Sequence, residues 1–186
     1  MKVLIACEFS GIVREAFAKR GHDVWSCDLL PTEIPGKHIQ GDFLKILNDK
    51  WDLGIFFVPC TRITNSGVRW LIERNLWKEL DEACVLFCSA LNAPISKIAV
   101  ENPIPHKYAV ERIGKKYDQI IQPYQFGHGE TKATCLWLIG LPLLKPTKIV
   151  SGRLARVHRE PPSAERWKNR SRTYEGIANA MAEQWG

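Results

Sequence analysis

With 186 residues, 45% of them hydrophobic and 25% charged, the chain has the composition of a soluble globular protein with one substantial core and at most a small appendage. No apolar run approaches the roughly 20 residues of a membrane span, and the apolar start at Met1–Ala6 is too short for a signal peptide, so cytoplasmic residence is the default expectation. A formal net charge of +6 fits a polyanionic partner such as nucleic acid, although charges of this size also occur without one.

Lys2 to Ala6 reads as a short buried strand that ends in Cys7-Glu8-Phe9-Ser10-Gly11. A helix follows from Ile12 to about Arg20, with Val13, Ala16 and Phe17 inward and Gly21 as its C-cap. His22 to Asp28 is a second strand that finishes on an acid. A small-residue turn after one strand and a carboxylate after the next describe nucleoside-cofactor sites in general: backbone amides approach the ligand and the acid accepts from ribose hydroxyls. Only Gly11 of a full GxGxxG pattern is present, so a strand-turn-helix without a ligand remains open.

A Pro/Gly-rich loop, Pro31 to Lys37, leads to a third strand at His38–Gln40, again followed by an acid, Asp42. Asp28 and Asp42 would also suit helix caps or loop acids. Trp51 to Val58 reads as a fourth, buried strand that stops at Pro59-Cys60. Trp70 to about Leu91 carries helical periodicity, with Leu80, Ala83, Cys84, Phe87 and Cys88 on the core face. Lys97–Val100 is a fifth strand ending in Glu101-Asn102-Pro103, and a helical Tyr108 to Gly114 follows. Ile120-Ile121 and Thr134–Ile139 read as an antiparallel hairpin joined through Gly127-His128-Gly129. Residues 142–169 are proline-rich, basic and irregular, and Arg170 to Trp185 is predicted to be an amphipathic helix. His106 and His128 fall in loops near the strand ends, where surface positions are expected.

Six cysteines raise the question of disulfides or zinc, but no CxxC pair and no Cys/His cluster with zinc spacing occurs. Free thiols are expected. Cys60 differs from the other five in its position, just past a proline at the carboxyl end of a core strand, where open α/β sheets place their ligands. Glu101 ends a neighbouring strand. A thiolate can add to an electron-poor ring carbon, and an acid that protonates a ring nitrogen makes the addition feasible. Addition to C6 of cytosine turns C5 into an enamine-like nucleophile able to take a methyl group from a sulfonium donor. Buried-thiol and ordinary-acid roles are the alternatives.

These residues resemble the cytosine-C5 DNA methyltransferases, especially the short phage and prophage versions, along almost the whole chain. The resemblance implies an α/β, Rossmann-like S-adenosylmethionine-dependent fold: a mostly parallel sheet with a C-terminal antiparallel hairpin, in a single catalytic domain over 1–186. Cys7, Glu8, Phe9, Ser10 and Gly11 stand at the family's cofactor loop, Asp28 at its ribose-binding acid, and Asp42 at its adenine-contacting aspartate. Val58-Pro59-Cys60 with Asn65-Ser66-Gly67 is similar to the catalytic loop, with Pro59 beside the cofactor and Asn65 and Ser66 toward substrate. Glu101-Asn102-Pro103 is similar to the Glu-Asn-Val motif whose glutamate contacts the cytosine, which also implies a substrate role for Asn102. Phe126 to Thr134 resembles the later Gly-x-Pro-Gln-x-Arg-x-Arg segment, and Tyr174 to Ala182 the closing helical motif.

The chain departs from the pattern at Val58 for the first proline and in the sparse glycines of the cofactor loop. Lys132 and Thr134 stand at the first and second arginine positions of the later motif, both implied to be on the substrate side and the second to hold the flipped base and adjacent backbone. Ile177 stands near a usual asparagine. Between the later motif and the last helix, a separate target-recognition domain is replaced by a basic stretch of fewer than 30 residues. Three readings follow. The first is C5 methylation of cytosine in DNA, with a partner subunit a candidate for reading the sequence. The second is C5 modification of a free deoxycytidine nucleotide. The third is a methyltransferase-like protein that binds nucleic acid or cofactor without turnover.

Overall fold

The computed structural model describes residues 1–186. Its centre is a seven-stranded sheet in the order β3-β2-β1-β4-β5-β7-β6, formed by Lys2–Ala6 (β1), Asp23–Asp28 (β2), His38–Gln40 (β3), Leu53–Phe56 (β4), Lys97–Pro103 (β5), Gln119–Ile121 (β6) and Thr134–Ile139 (β7). All neighbours are parallel except β7, which runs antiparallel to both β5 and β6. This is the α/β sheet with a terminal antiparallel hairpin expected from the sequence.

The strands are apolar on both faces because helices cover both. On β1, Leu4 and Ala6 join one core while Val3 and Ile5 join the other. The first core packs under Trp77–Leu91 (α3) and Lys107–Ile113 (α4), with Leu80, Cys84, Phe87 and Ile113 turned inward. The second packs under Ile12–Ala18 (α1) and Glu175–Trp185 (α7), through Val13, Phe17, Ile177, Met181 and Trp185. No helix is long and apolar enough to cross a membrane.

Several boundaries differ from the sequence reading, each for a local reason. The helix expected from Trp70 to Leu91 is two helices, Val68–Glu73 (α2) and α3, broken where Asn75 adopts a left-handed φ of 52°. Asparagine tolerates that conformation better than most residues, and periodicity is blind to it. The irregular stretch 142–169 holds Arg156–Arg159 (α5) and the start of Arg166–Ser171 (α6). The last helix starts at Glu175, five residues later than expected, because its first turn is seated against the loop after β6. There the Gly176 amide donates to His128 Nε2 at 3.1 Å, and a Cβ on Gly176 would run into the Phe126 carbonyl oxygen.

Candidate active site

The order of strands changes direction between β1 and β4, so the loops leaving their carboxyl ends diverge and open a crevice. After β1 the chain curls at Cys7, whose φ is 58° and whose amide donates to the Cys27 carbonyl at 2.7 Å. That turn drives Glu8 and Ser10 into the protein, where both are almost fully buried. The Ser10 hydroxyl donates to Glu8 Oε1, while Glu8 Oε2 has no hydrogen-bond partner. Burial pushes the Glu8 carboxyl above the usual carboxylate range, opposed by Ser10, the first amides of α1 and the Arg14 charge.

Arg14 is an unexpected structural centre. It is buried on α1 and donates to Ser26 Oγ at 3.0 Å, Thr32 Oγ1 at 3.1 Å and the Ile34 carbonyl. It thereby anchors the Pro31–Lys37 loop against the start of the sheet. Helical periodicity places an arginine outside, so only the polar partners in the fold reveal it.

The loop after β4 is fixed by its neighbour. Asn102 Nδ2 donates to the Val58 carbonyl at 3.1 Å, the His106 amide to the Ile63 carbonyl at 3.1 Å, and the Asn65 amide to the Ile104 carbonyl at 2.8 Å. His106 is buried. Its Nδ1 accepts from the Ala109 amide at 3.1 Å, and its Nε2 lies 2.8 Å from the Arg62 carbonyl. The Cys60 carbonyl closes the turn, accepting from the amides of Ile63 and Thr64 at 3.0 and 2.9 Å. Four cross-links therefore hold the segment carrying Cys60 against the end of β5 that carries Glu101. Neither His106 nor His128 is the surface histidine expected; each ties two segments together.

Cys60 and Glu101 line one cleft of about 140 Å³ with Cys7, Glu8, Phe9, Ser10, Pro59 and Lys132. Burial raises the Cys60 thiol above its ordinary value and the Glu101 charge adds to it, while its own loop amide, Lys132 and Arg170 pull the other way. Burial also holds Glu101 above the usual carboxylate range, against Lys132 and the nearby Thr134 hydroxyl. That hydroxyl has a single hydrogen and donates it to the Lys132 carbonyl at 3.2 Å, which leaves Glu101 short of a donor. The two groups are coupled: a neutral Glu101 removes the charge that most opposes the Cys60 thiolate.

The fourth wall is the run Arg170–Thr173, the end of α6 and the start of its link to α7. Lys132 Nζ donates to the Arg170 carbonyl at 2.9 Å and the Arg172 carbonyl at 3.4 Å. Arg172 forms a two-pronged pair with Glu33, at 3.0 and 2.6 Å, and Phe9 packs against Trp167 with ring centroids 5.8 Å apart. The segment thus closes over the cleft from the β2–β3 loop to β7.

Not every expected site residue reaches this cleft. Asn65 and Ser66 are exposed on a 3-10 turn outside it. Asn102 is fully buried, engaged with Val58, and its Oδ1 has no partner, so it positions the loop instead of meeting substrate. Thr134 is buried behind Glu101. Gly11, Asp28 and Asp42 lie outside the cleft lining. Gly11 is left-handed at the start of α1. Asp42 caps a 3-10 turn by accepting from the Leu44 amide at 3.0 Å, and Asp28 accepts from the Leu30 amide at 2.9 Å. Both acids nevertheless sit close enough to Cys7 to reinforce the burial that pushes its thiol up to about 12. All six cysteines are free thiols.

No protein-family profile and no curated protein sequence matches this chain. Solved structures do match it. A protein described as a DNA modification methyltransferase encoded within an Escherichia coli prophage superposes with a TM-score of 0.52 at 14% identity, over 88% of this chain and 56% of that one. The Entamoeba histolytica methyltransferase EhMeth gives 0.51 at 12% identity, over 88% and 60%. The chain spans a little more than half the length of each. At this identity the likeness shows a shared fold, one found in methyltransferases.

Proposed function

We propose that the chain is an S-adenosylmethionine-dependent methyltransferase acting on C5 of cytosine in DNA. The reading treats 1–186 as one catalytic unit with the basic stretch 142–169 in place of a recognition domain. The observation that carries it is the convergence of Cys60 and Glu101, from adjacent strand ends, in a cleft whose opposite wall is the β1 loop. A thiol beside an acid whose burial favours the protonated form is the pair that addition to a pyrimidine ring requires.

The residues also fit the cofactor. Glu8 lines the cleft and keeps one buried carboxyl oxygen without a partner, and S-adenosylmethionine carries an ammonium and a sulfonium. Cys7, Glu8, Phe9 and Ser10 would hold it, with Asp28 and Asp42 on the neighbouring strand ends for its ribose and adenine. The bound cofactor supplies an electrophilic methyl group.

In the reaction, Glu101 donates its proton to N3 as Cys60 adds to C6, and the C5=C6 electrons become nucleophilic at C5. After C5 is methylated, water takes the C5 proton, the Cys60 sulfur departs as the thiolate and restores the aromatic ring, and N3 returns its proton to Glu101. In duplex DNA the base must leave the stack to reach the thiol. The test is incubation with labelled S-adenosylmethionine and DNA containing 5-fluorocytosine, whose C5 fluorine blocks the final elimination. A labelled covalent complex that maps to Cys60 is the expected result. Methylation of ordinary cytosine by Cys60→Ala at the wild-type rate would refute the mechanism.

A second reading, C5 modification of free deoxycytidine nucleotide, is favoured by one observation. Residues 142–169 hold only α5 and the first turn of α6, too little for a sequence-reading domain. Parallel assays with dCMP and duplex DNA separate the two substrates.

A further inference from the structure

The cleft wall contributed by Arg170–Thr173 carries a charge that the reaction scheme leaves without a task. Among the cations of this region, Arg156 pairs with Glu130, Lys168 with Glu165 and Arg172 with Glu33. Arg166 donates to the Glu160 carbonyl at 2.7 Å, and Arg153 lies over the Tyr124 ring. Lys132, which lines the cleft along with Arg172, is engaged with two backbone carbonyls. Arg170 is half-buried and lines the cleft, and its guanidinium has neither a carboxylate nor a carbonyl partner. Its backbone is fixed by the Lys132 bond to its own carbonyl, so the side chain starts from a defined place. Arg170 shares the lining of this one small cleft with Cys60 and Glu101, and its charge favours the Cys60 thiolate, though less than Lys132 does.

A guanidinium is a planar fork of five donors that matches phosphate oxygens in pairs, and leaving it unpaired in a partly desolvated cleft is costly unless a ligand supplies the anion. The ring chemistry says where such an anion falls. In the common anti conformation of a pyrimidine nucleotide, C6 is the ring atom nearest the 5′-phosphate. A cation in the wall of the same small cleft as the thiol that attacks C6 is therefore within the region where the phosphate of the same nucleotide arrives.

We propose that Arg170 is a substrate-binding residue that grips the 5′-phosphate of the target cytidine nucleotide, whether that phosphate belongs to a DNA strand or to a free nucleotide. The inference rests on the cytosine reading above. It gives the cleft a register: base against Cys60 and Glu101, phosphate against Arg170, cofactor against the β1 loop. It also predicts that a nucleoside without a phosphate gains nothing from Arg170.

The experiment measures kcat and KM for methylation of plasmid DNA, dCMP and deoxycytidine by the wild type, Arg170→Gln, Arg170→Lys and Arg20→Ala. Arg20 is an exposed arginine 3.6 Å from Glu183 and away from the cleft, so its variant controls for loss of one positive charge. Thermal melting confirms that each variant folds. Loss of a charge-assisted contact should raise KM for the phosphate-bearing substrate about tenfold to a hundredfold in Arg170→Gln. On DNA, the salt dependence of binding should fall by about one phosphate contact. Arg170→Lys should recover part of the loss, because a lysine keeps the charge without the fork. Activity on DNA alone identifies a strand phosphate, and activity on dCMP alone a free nucleotide; Arg170→Gln must impair whichever is used. A KM and salt slope for Arg170→Gln equal to those of Arg20→Ala, or an equal loss on deoxycytidine, would overturn the inference. Absence of methyl transfer by the wild type on all three substrates would instead remove the cytosine reading on which it stands.

Discussion

Two regions of the molecule bring cysteines to a depression in the surface, and they differ in a way that volume does not capture. Between α3 and α4, Cys84 and Cys88 border a groove of about 520 Å³ with Asp81, Val85, Ser89, Asn92 and Arg112. The strand-end cleft around Cys60 is much smaller, about 140 Å³. In the α3 groove the charges cancel each other: Arg112 donates to Asp81 at 2.5 Å and to the Tyr108 carbonyl at 3.2 Å. Cys84 is buried among Leu80, Phe87 and Trp137, and burial pushes its thiol up to about 11. In the cleft, charges of both signs converge on one thiol, burial raises the neighbouring Glu101 carboxyl, and a guanidinium and a carboxyl oxygen lack partners. Unfinished polar chemistry, not size, marks a site where a ligand is expected.

The largest effect expected from this contrast is on turnover. Cys60→Ala should abolish methyl transfer and the 5-fluorocytosine adduct, whereas Cys84→Ser should leave the transfer rate unchanged. Cys84→Ser should instead cost about 1–3 kcal/mol of stability by burying a hydroxyl where a thiol packed, read as a lower denaturant midpoint at constant slope. Equal rates for Cys60→Ala and Cys84→Ser would erase the distinction between the two regions. Next in size, Glu101→Gln keeps the shape and removes the proton, and should lower kcat by about 10²–10⁴-fold with the adduct still detectable at long times.

A third test reads the same coupling without turnover. The Glu101 charge is the main electrostatic influence raising the Cys60 thiol, so neutralising it stabilises the thiolate. The pH midpoint for iodoacetamide alkylation of Cys60, followed by peptide mass spectrometry, should therefore move down in Glu101→Gln. The midpoint of Cys88, which is raised by burial alone, should stay where it is. A shift shared by both thiols would point to global loosening and against the pairing.

The same contrast explains what was legible in the sequence. Apolar runs bounded by Gly and Pro marked the strands, and Cys60 and Glu101 were visible because each ends such a run; strand ends are set by local pattern. The fourth wall was not legible. Its position depends on Gly176 passing under the Phe126 carbonyl, and on Tyr174 donating to Glu130 Oε2 at 2.6 Å, 44 residues away. Periodicity carried the last helix back to Arg170, whereas Arg170 and Ser171 end α6 and the last helix starts at Glu175. Asn102 misled differently: its neighbour in the motif faces the cleft, but residues alternate across a strand, so it points into the core. Arg14 was hidden because its partners, Ser26, Thr32 and Ile34, come from the next strand and loop.

The smallest expected effect concerns how the cleft is closed. The Arg172–Glu33 pair is about one-third exposed on both sides, so its contribution to global stability should be within about 1 kcal/mol. Its position gives it more consequence than its energy, because it bridges the segment over the cleft to the loop that Arg14 anchors. Glu33→Gln removes the charge and keeps one acceptor, so the melting temperature should barely move. The strap should open more often, and the rates of cofactor entry and exit should both rise, with little change in equilibrium affinity for S-adenosylmethionine. Stopped-flow tryptophan fluorescence, with Trp167→Phe as the control that isolates its signal, reports the event through the contact of Trp167 with Phe9 in the loop after β1. Unchanged rates with an unchanged melting temperature would mean that Arg172–Glu33 is an ordinary surface pair, and that Lys132 and the Phe9–Trp167 contact close the cleft without it.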